Sequence, residues 1–81
     1  MQEDMILEKL KDLLPGLNLQ IDVDAVTPAS LLAEDLGIDS LRRLLLAVLI
    51  EDAFGIEFDV NATYVTVQDV VDSIARSCRA R

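Results

Sequence analysis

Ile6, Leu10, Leu13 and Leu14 recur at helical spacing, and Glu3, Asp4, Glu8, Lys9, Lys11 and Asp12 fill the other side. This pattern predicts an amphipathic helix over residues 2–14, with Leu17 continuing the stripe beyond it. Acidic residues open the segment and Pro15-Gly16 stops it, matching the dipole's preference and the loss of an N–H donor. In residues 17–39 the period changes, because Leu17, Leu19, Ile21 and Val23 alternate with polar residues. Alternation alone suggests a strand. A lone strand has no pairing partner in so small a chain, so an extended loop packed along the helices is the expected form.

Residues 40–54 return to helical spacing with two apolar stripes. Leu46, Leu49, Ile50 and Ala53 form one; Leu41, Leu44, Leu45 and Val48 form another on a different side. One stripe is enough to dock a surface helix. Two mean either a helix buried nearly all round or one buried face and one face offered to partners, and a chain this size has few elements with which to cover a helix on all sides. Gly55 suits the left-handed residue that ends such a helix, and residues 59–64 can make a turn or a short third helix. Thr66 with Asp69 resembles a capping box opening the last helix. Val67, Val70, Val71 and Ile74 supply its inner face, and Arg76, Arg79 and Arg81 crowd its C-terminal end. The sum is an all-α fold in a single domain spanning residues 1–81.

Composition narrows the function. Fifteen acidic against seven basic residues give a net charge of −8, which disfavours nucleic acid and suits partners with a basic patch. The 52 % hydrophobic share without a single Trp makes a core of Leu, Val, Ile and Ala. The lone Cys78 allows no internal disulfide and no cysteine-based metal site; it falls in the last few residues and is read as incidental. No apolar run is long enough to span a bilayer and no leader precedes the first helix, so the expected location is the cytoplasm. Histidine is absent. A Ser-His-Asp site therefore cannot form, and Gly37-Ile38-Asp39-Ser40-Leu41 lacks the second glycine of a nucleophile elbow. A serine here is better suited to receive a group than to attack a substrate.

Ser40 is that serine. It stands where loop gives way to helix, a usual place for an N-cap and a favourable one for a phosphate, since free N–H groups and the dipole both attract an anion. The run Glu34-Asp35-Leu36-Gly37-Ile38-Asp39-Ser40-Leu41, the apolar helix ending in Phe54-Gly55 and the final Thr66-Val67-Gln68-Asp69-Val70-Val71 together resemble the acyl carrier protein family. The resemblance covers most of the chain. It implies a small four-helix bundle with a long loop between helices 1 and 2, a packed turn at residues 27–32 and a short third helix. It also implies a non-catalytic carrier holding acyl groups as thioesters on a 4′-phosphopantetheine arm, derived from coenzyme A and joined to Ser40 through a phosphodiester. Carried over position by position, Asp39 and Leu41 flank the site where a phosphopantetheinyl transferase reads it. Leu44 and Val48, with Glu51 and Asp52, match the face met by acyl-transferring and condensing enzymes of fatty-acid or polyketide synthesis. The carrier is expected to be a monomer.

Arg42 and Arg43 depart from the pattern. They sit in the first helical turn, where a cation costs about 0.3–1 kcal/mol, and the family more often has acidic or neutral residues there and an acid in place of Leu45. The arginines are expected to contact a phosphodiester on Ser40 or an acidic patch on a partner, which adds Arg42, Arg43 and Leu45 to the candidate partner face. The competing reading is an unmodified helical interaction domain in which Ser40 is only an N-cap.

Overall fold

The computed structural model describes residues 2–17, 21–59 and 61–79. Three α-helices carry the architecture: α1 (Glu3–Leu13), α2 (Ser40–Phe54) and α3 (Val67–Arg79). There is no strand among the described residues, only an isolated antiparallel bridge between Leu31 and Thr66. α1 packs against both α2 and α3. The core is aliphatic: Ile6, Leu10 and Leu14 meet Leu46 and Ile50 of α2 and Val67, Val70 and Ile74 of α3 in one buried cluster. Polar contacts tie the outer edges. Gln68 Nε2 donates to Glu3 Oε1 at 3.0 Å, and Lys9 Nζ stands 4.9 Å from the centroid of the Phe54 ring, close enough for a cation–π attraction.

α1 ends one residue earlier than its hydrophobic pattern predicts, at Leu13, and the chain tightens into a 3-10 turn over Leu14–Leu17. Pro15 is the cause. It has no N–H to give the Lys11 carbonyl, and the Leu14 N–H bonds that carbonyl instead. The expected inner residues hold: Leu10, Leu14 and Leu17 are each 2 % exposed.

The connection from α1 to α2 forms no strand among its described residues. Ile21 and Val23 lie half-buried against the core, and a second 3-10 turn runs over Val23–Ala25, opened by the Asp22 side chain accepting from the Asp24 N–H. Leu19 lies outside the described residues. The segment around residues 27–32 makes the packed turn, with Ser30 N–H donating to the Thr27 carbonyl. That turn then serves α3. The Pro28 and Ser30 carbonyls accept from the Gln68 and Val67 N–H groups, donors that no carbonyl inside the helix can reach. Thr66 and Asp69 complete the start as a reciprocal box: Asp69 N–H donates to Thr66 Oγ1 at 3.2 Å and Thr66 N–H to Asp69 Oδ2 at 3.0 Å.

Where the resemblance implies a short third helix, the described residues show a turn. Asp59 Oδ1 accepts from the Asn61 N–H at 2.9 Å and the Asp59 carbonyl from the Tyr64 hydroxyl at 2.8 Å. The second bond occupies a carbonyl that a helical ladder would pair with a backbone N–H. Tyr64 also stacks on Phe58 with ring centroids 5.0 Å apart. Val60 lies outside the described residues. Cys78, expected to be incidental in a loose end, sits in α3 half-buried against the core. Arg81 lies outside the described residues. No helix among the described residues is long and apolar enough to cross a membrane.

Candidate functional site

The site is built at the first turn of α2, and the approach to it is set by Gly37. Its φ of +69° is a left-handed value that costs other residues about 1–2 kcal/mol, and an added Cβ would meet nothing within 4 Å. Glycine is therefore required there by backbone conformation rather than by space. Leu36 and Ile38 on either side are buried, anchoring the loop so that Asp39 and Ser40 emerge at the surface.

Ser40 is not the N-cap. Asp39 is: its backbone is extended, and its Oδ1 accepts from the Arg42 N–H at 2.8 Å. A carboxylate outcompetes a neighbouring hydroxyl for this role because it is charged and faces the positive end of the dipole. Ser40 becomes the first helical residue. It is exposed, and its hydroxyl makes no hydrogen bond among the described residues, so Oγ is sterically and chemically available.

Arg42 is held in place from both sides. Its Nη1 lies 3.2 Å from Asp39 Oδ2 and its Nε donates to the Leu17 carbonyl at 3.2 Å. The cation disfavoured by the dipole is thus balanced by the capping carboxylate, and its second bond ties the loop after α1 to the start of α2. Arg43 is half-buried.

The two stripes of α2 separate cleanly. Leu46, Ala47 and Ile50 are buried, with Leu49 and Ala53 half-buried behind them. On the other side Leu41 is 76 % exposed, Leu44 54 %, Leu45 44 % and Val48 59 %. One face is core and the other is presented to solvent. The acids at the far end of the helix differ from each other. Asp52 is exposed, whereas Glu51 is half-buried and its Oε2 accepts from the Phe58 N–H at 3.2 Å, fastening the chain after α2. Gly55, with φ +65°, ends the helix as its left-handed cap.

An open groove of about 580 Å³ runs beside Ser40. Leu17, Leu41, Leu44, Leu45 and Val48 line it, and Asp39 and Arg42 stand at its edge. The sequence pattern places Leu41, Leu44, Leu45 and Val48 on one face, but Leu17 only in the continuation of the first helix's stripe and in the alternating segment after it. Nothing local signals its second role, because the Arg42–Leu17 contact joins positions 25 residues apart.

Among the described residues no group of His, Cys, Asp or Glu could hold a metal ion. What the geometry offers is an exposed alcohol at a helix start, next to an apolar surface. A phosphate joined to Ser40 Oγ would stand at free N–H groups of the first turn.

Residues 8–74 match the family model described as the phosphopantetheine attachment site. An acyl carrier protein of Thermosynechococcus vestitus is 41 % identical over 76 residues, which cover 91 % of this chain and 93 % of the relative. One from Aster yellows witches'-broom phytoplasma is 40 % identical over 76 residues, 90 % of this chain and 97 % of the relative. One from Streptomyces coelicolor is 44 % identical over 55 residues, 68 % of this chain and 60 % of the relative.

Proposed function

The chain belongs to the acyl carrier protein family, and from that premise we propose that Ser40 is its point of attachment for 4′-phosphopantetheine. The observation that carries the assignment is the division of labour at α2: Asp39 caps the helix and leaves the Ser40 hydroxyl exposed. In the modification, Ser40 Oγ forms a bond to the phosphorus that bears the pantetheine in coenzyme A. The bond to the second phosphate breaks and adenosine 3′,5′-bisphosphate leaves. The serine proton passes to a base supplied by the phosphopantetheinyl transferase. The bound group supplies a thiol on which acyl groups are held as thioesters. The protein's own part is to hold Ser40 outward and to present Leu41, Leu44, Leu45 and Val48, with Asp52 beyond them, to the enzymes that load and use the cargo. Tethering raises the local concentration of that cargo at each docked enzyme. The chain is a carrier and not an enzyme, serving fatty-acid, polyketide or related lipid biosynthesis.

The reading of Ser40 as a mere helix cap has lost its structural basis, since the cap is Asp39. The test is intact mass after incubation with coenzyme A, Mg²⁺ and a broad-specificity phosphopantetheinyl transferase. The parent should gain one phosphopantetheinyl group and Ser40→Ala none. Folded parent that gains nothing would overturn the assignment.

A further inference from the structure

The groove beside Ser40 has the position and chemistry to bind part of the arm itself. Its α2 residues begin one position after Ser40 and extend to Val48, about 12 Å along the axis at 1.5 Å per residue. Its lining is aliphatic, from Leu17 across to Leu41, Leu44, Leu45 and Val48. The pantetheine arm is mostly polar, with two amides and a hydroxyl. Its one branched hydrocarbon unit is the carbon bearing two methyl groups, a few bonds from the phosphate. Joined to Ser40, that unit starts at the mouth of the groove and is the part of the arm with most to gain from leaving water.

Resting on the assignment of Ser40 above, we propose that the groove between Leu17 and α2 seats the dimethyl segment of the arm and directs the arm toward the Leu17 side of the helix. Tethering makes a shallow site sufficient, because the effective concentration of an attached group exceeds anything a free ligand reaches. Arg42 is the positioning residue. Its Nε–Leu17 carbonyl bond of 3.2 Å holds one side of the groove against α2, and its pairing with Asp39 fixes the guanidinium that makes that bond. The inference also gives the first-turn arginine a task that outweighs its unfavourable place in the dipole.

The test uses the protein with 13C-labelled leucine, valine and isoleucine methyls, compared before and after modification once intact mass has shown the gain of one arm. The expected result is methyl shifts at Leu17, Leu41 and Leu45, and cross-peaks from those residues to the two methyl groups of the arm. Arg42→Ala should weaken the Leu17 cross-peaks selectively while those to Leu41 persist. Arm methyls at the shifts of free pantetheine with no protein cross-peaks would overturn the proposal, as would cross-peaks to Val70, Val71 or Ile74 of α3 instead. Absence of the mass gain is a separate outcome. It would overturn the Ser40 assignment, and this inference with it, before any spectrum is compared.

Discussion

At the start of α2 a carboxylate and a hydroxyl have divided two tasks that a sequence reading assigns to one residue. Asp39 accepts the Arg42 N–H, so Ser40 is released. The same chemistry recurs at α3, where Asp69 accepts from the Thr66 and Val65 N–H groups at 3.0 and 2.9 Å. These bonds, Thr66's first and Val65's second, hold the Asp69 carboxyl below its ordinary value of 3.8. Folding thus favours the charged form. The stability it contributes is present above the range where an unfolded aspartate titrates and is lost as pH falls through the lower, folded value. Acidification below about pH 4 should therefore lower the melting temperature of the parent more steeply than that of Asp69→Asn. Parallel curves would remove Asp69 from the acid response. Both caps were legible as residue types at helix starts; which of Asp39 and Ser40 would accept the bond was not, because both side chains can reach the same donors.

At the scale of elements, α2 is the informative case. Two apolar stripes of equal period cannot be ranked from spacing, and only the packing of α1 and α3 decides which is core. The structure buries Ile50 completely and leaves Leu44 54 % exposed. Ile50→Ala should cost about 2–5 kcal/mol, transfer term plus cavity, whereas Leu44→Ala should stay within roughly 0.5 kcal/mol. Urea denaturation of both variants measures the difference, and similar losses would mean that the outward stripe is packed. The segment after Phe58 shows a different limit of sequence reading. The Tyr64 hydroxyl donates to the Asp59 carbonyl, and a side-chain bond of this kind competes with a short helix in a way that propensity does not register.

For the molecule as a whole, charge is unevenly placed. α2 holds Arg42 and Arg43 against Glu51 and Asp52 and is formally neutral, while the chain carries −8. The excess negative charge therefore lies on the rest of the chain, and the outward face of the helix that carries Ser40 is mostly hydrocarbon. Self-repulsion of the remaining carboxylates weakens the compact state. Raising NaCl from about 0.01 M to 0.15 M, which shortens the screening length from about 30 Å to 8 Å, should raise the melting temperature. A flat or falling curve would show that the acids are locally compensated.

The sequence by itself determined the three main helices, the aliphatic core of Ile6, Leu10, Val70 and Ile74, the exclusion of histidine-based catalysis and the loop-to-helix junction at which Ser40 stands. These features are periodic or local, written within a turn or two of chain. The tertiary structure decided which stripe of α2 faces water, which acid of Glu51 and Asp52 remains exposed, how the turn at residues 27–32 feeds carbonyls to α3, and that Leu17 joins α2 through Arg42. Each of these depends on groups brought together from distant positions. Spacing along the chain carries no record of such meetings, because they are selected by the packing of helices whose mutual arrangement no single helix encodes.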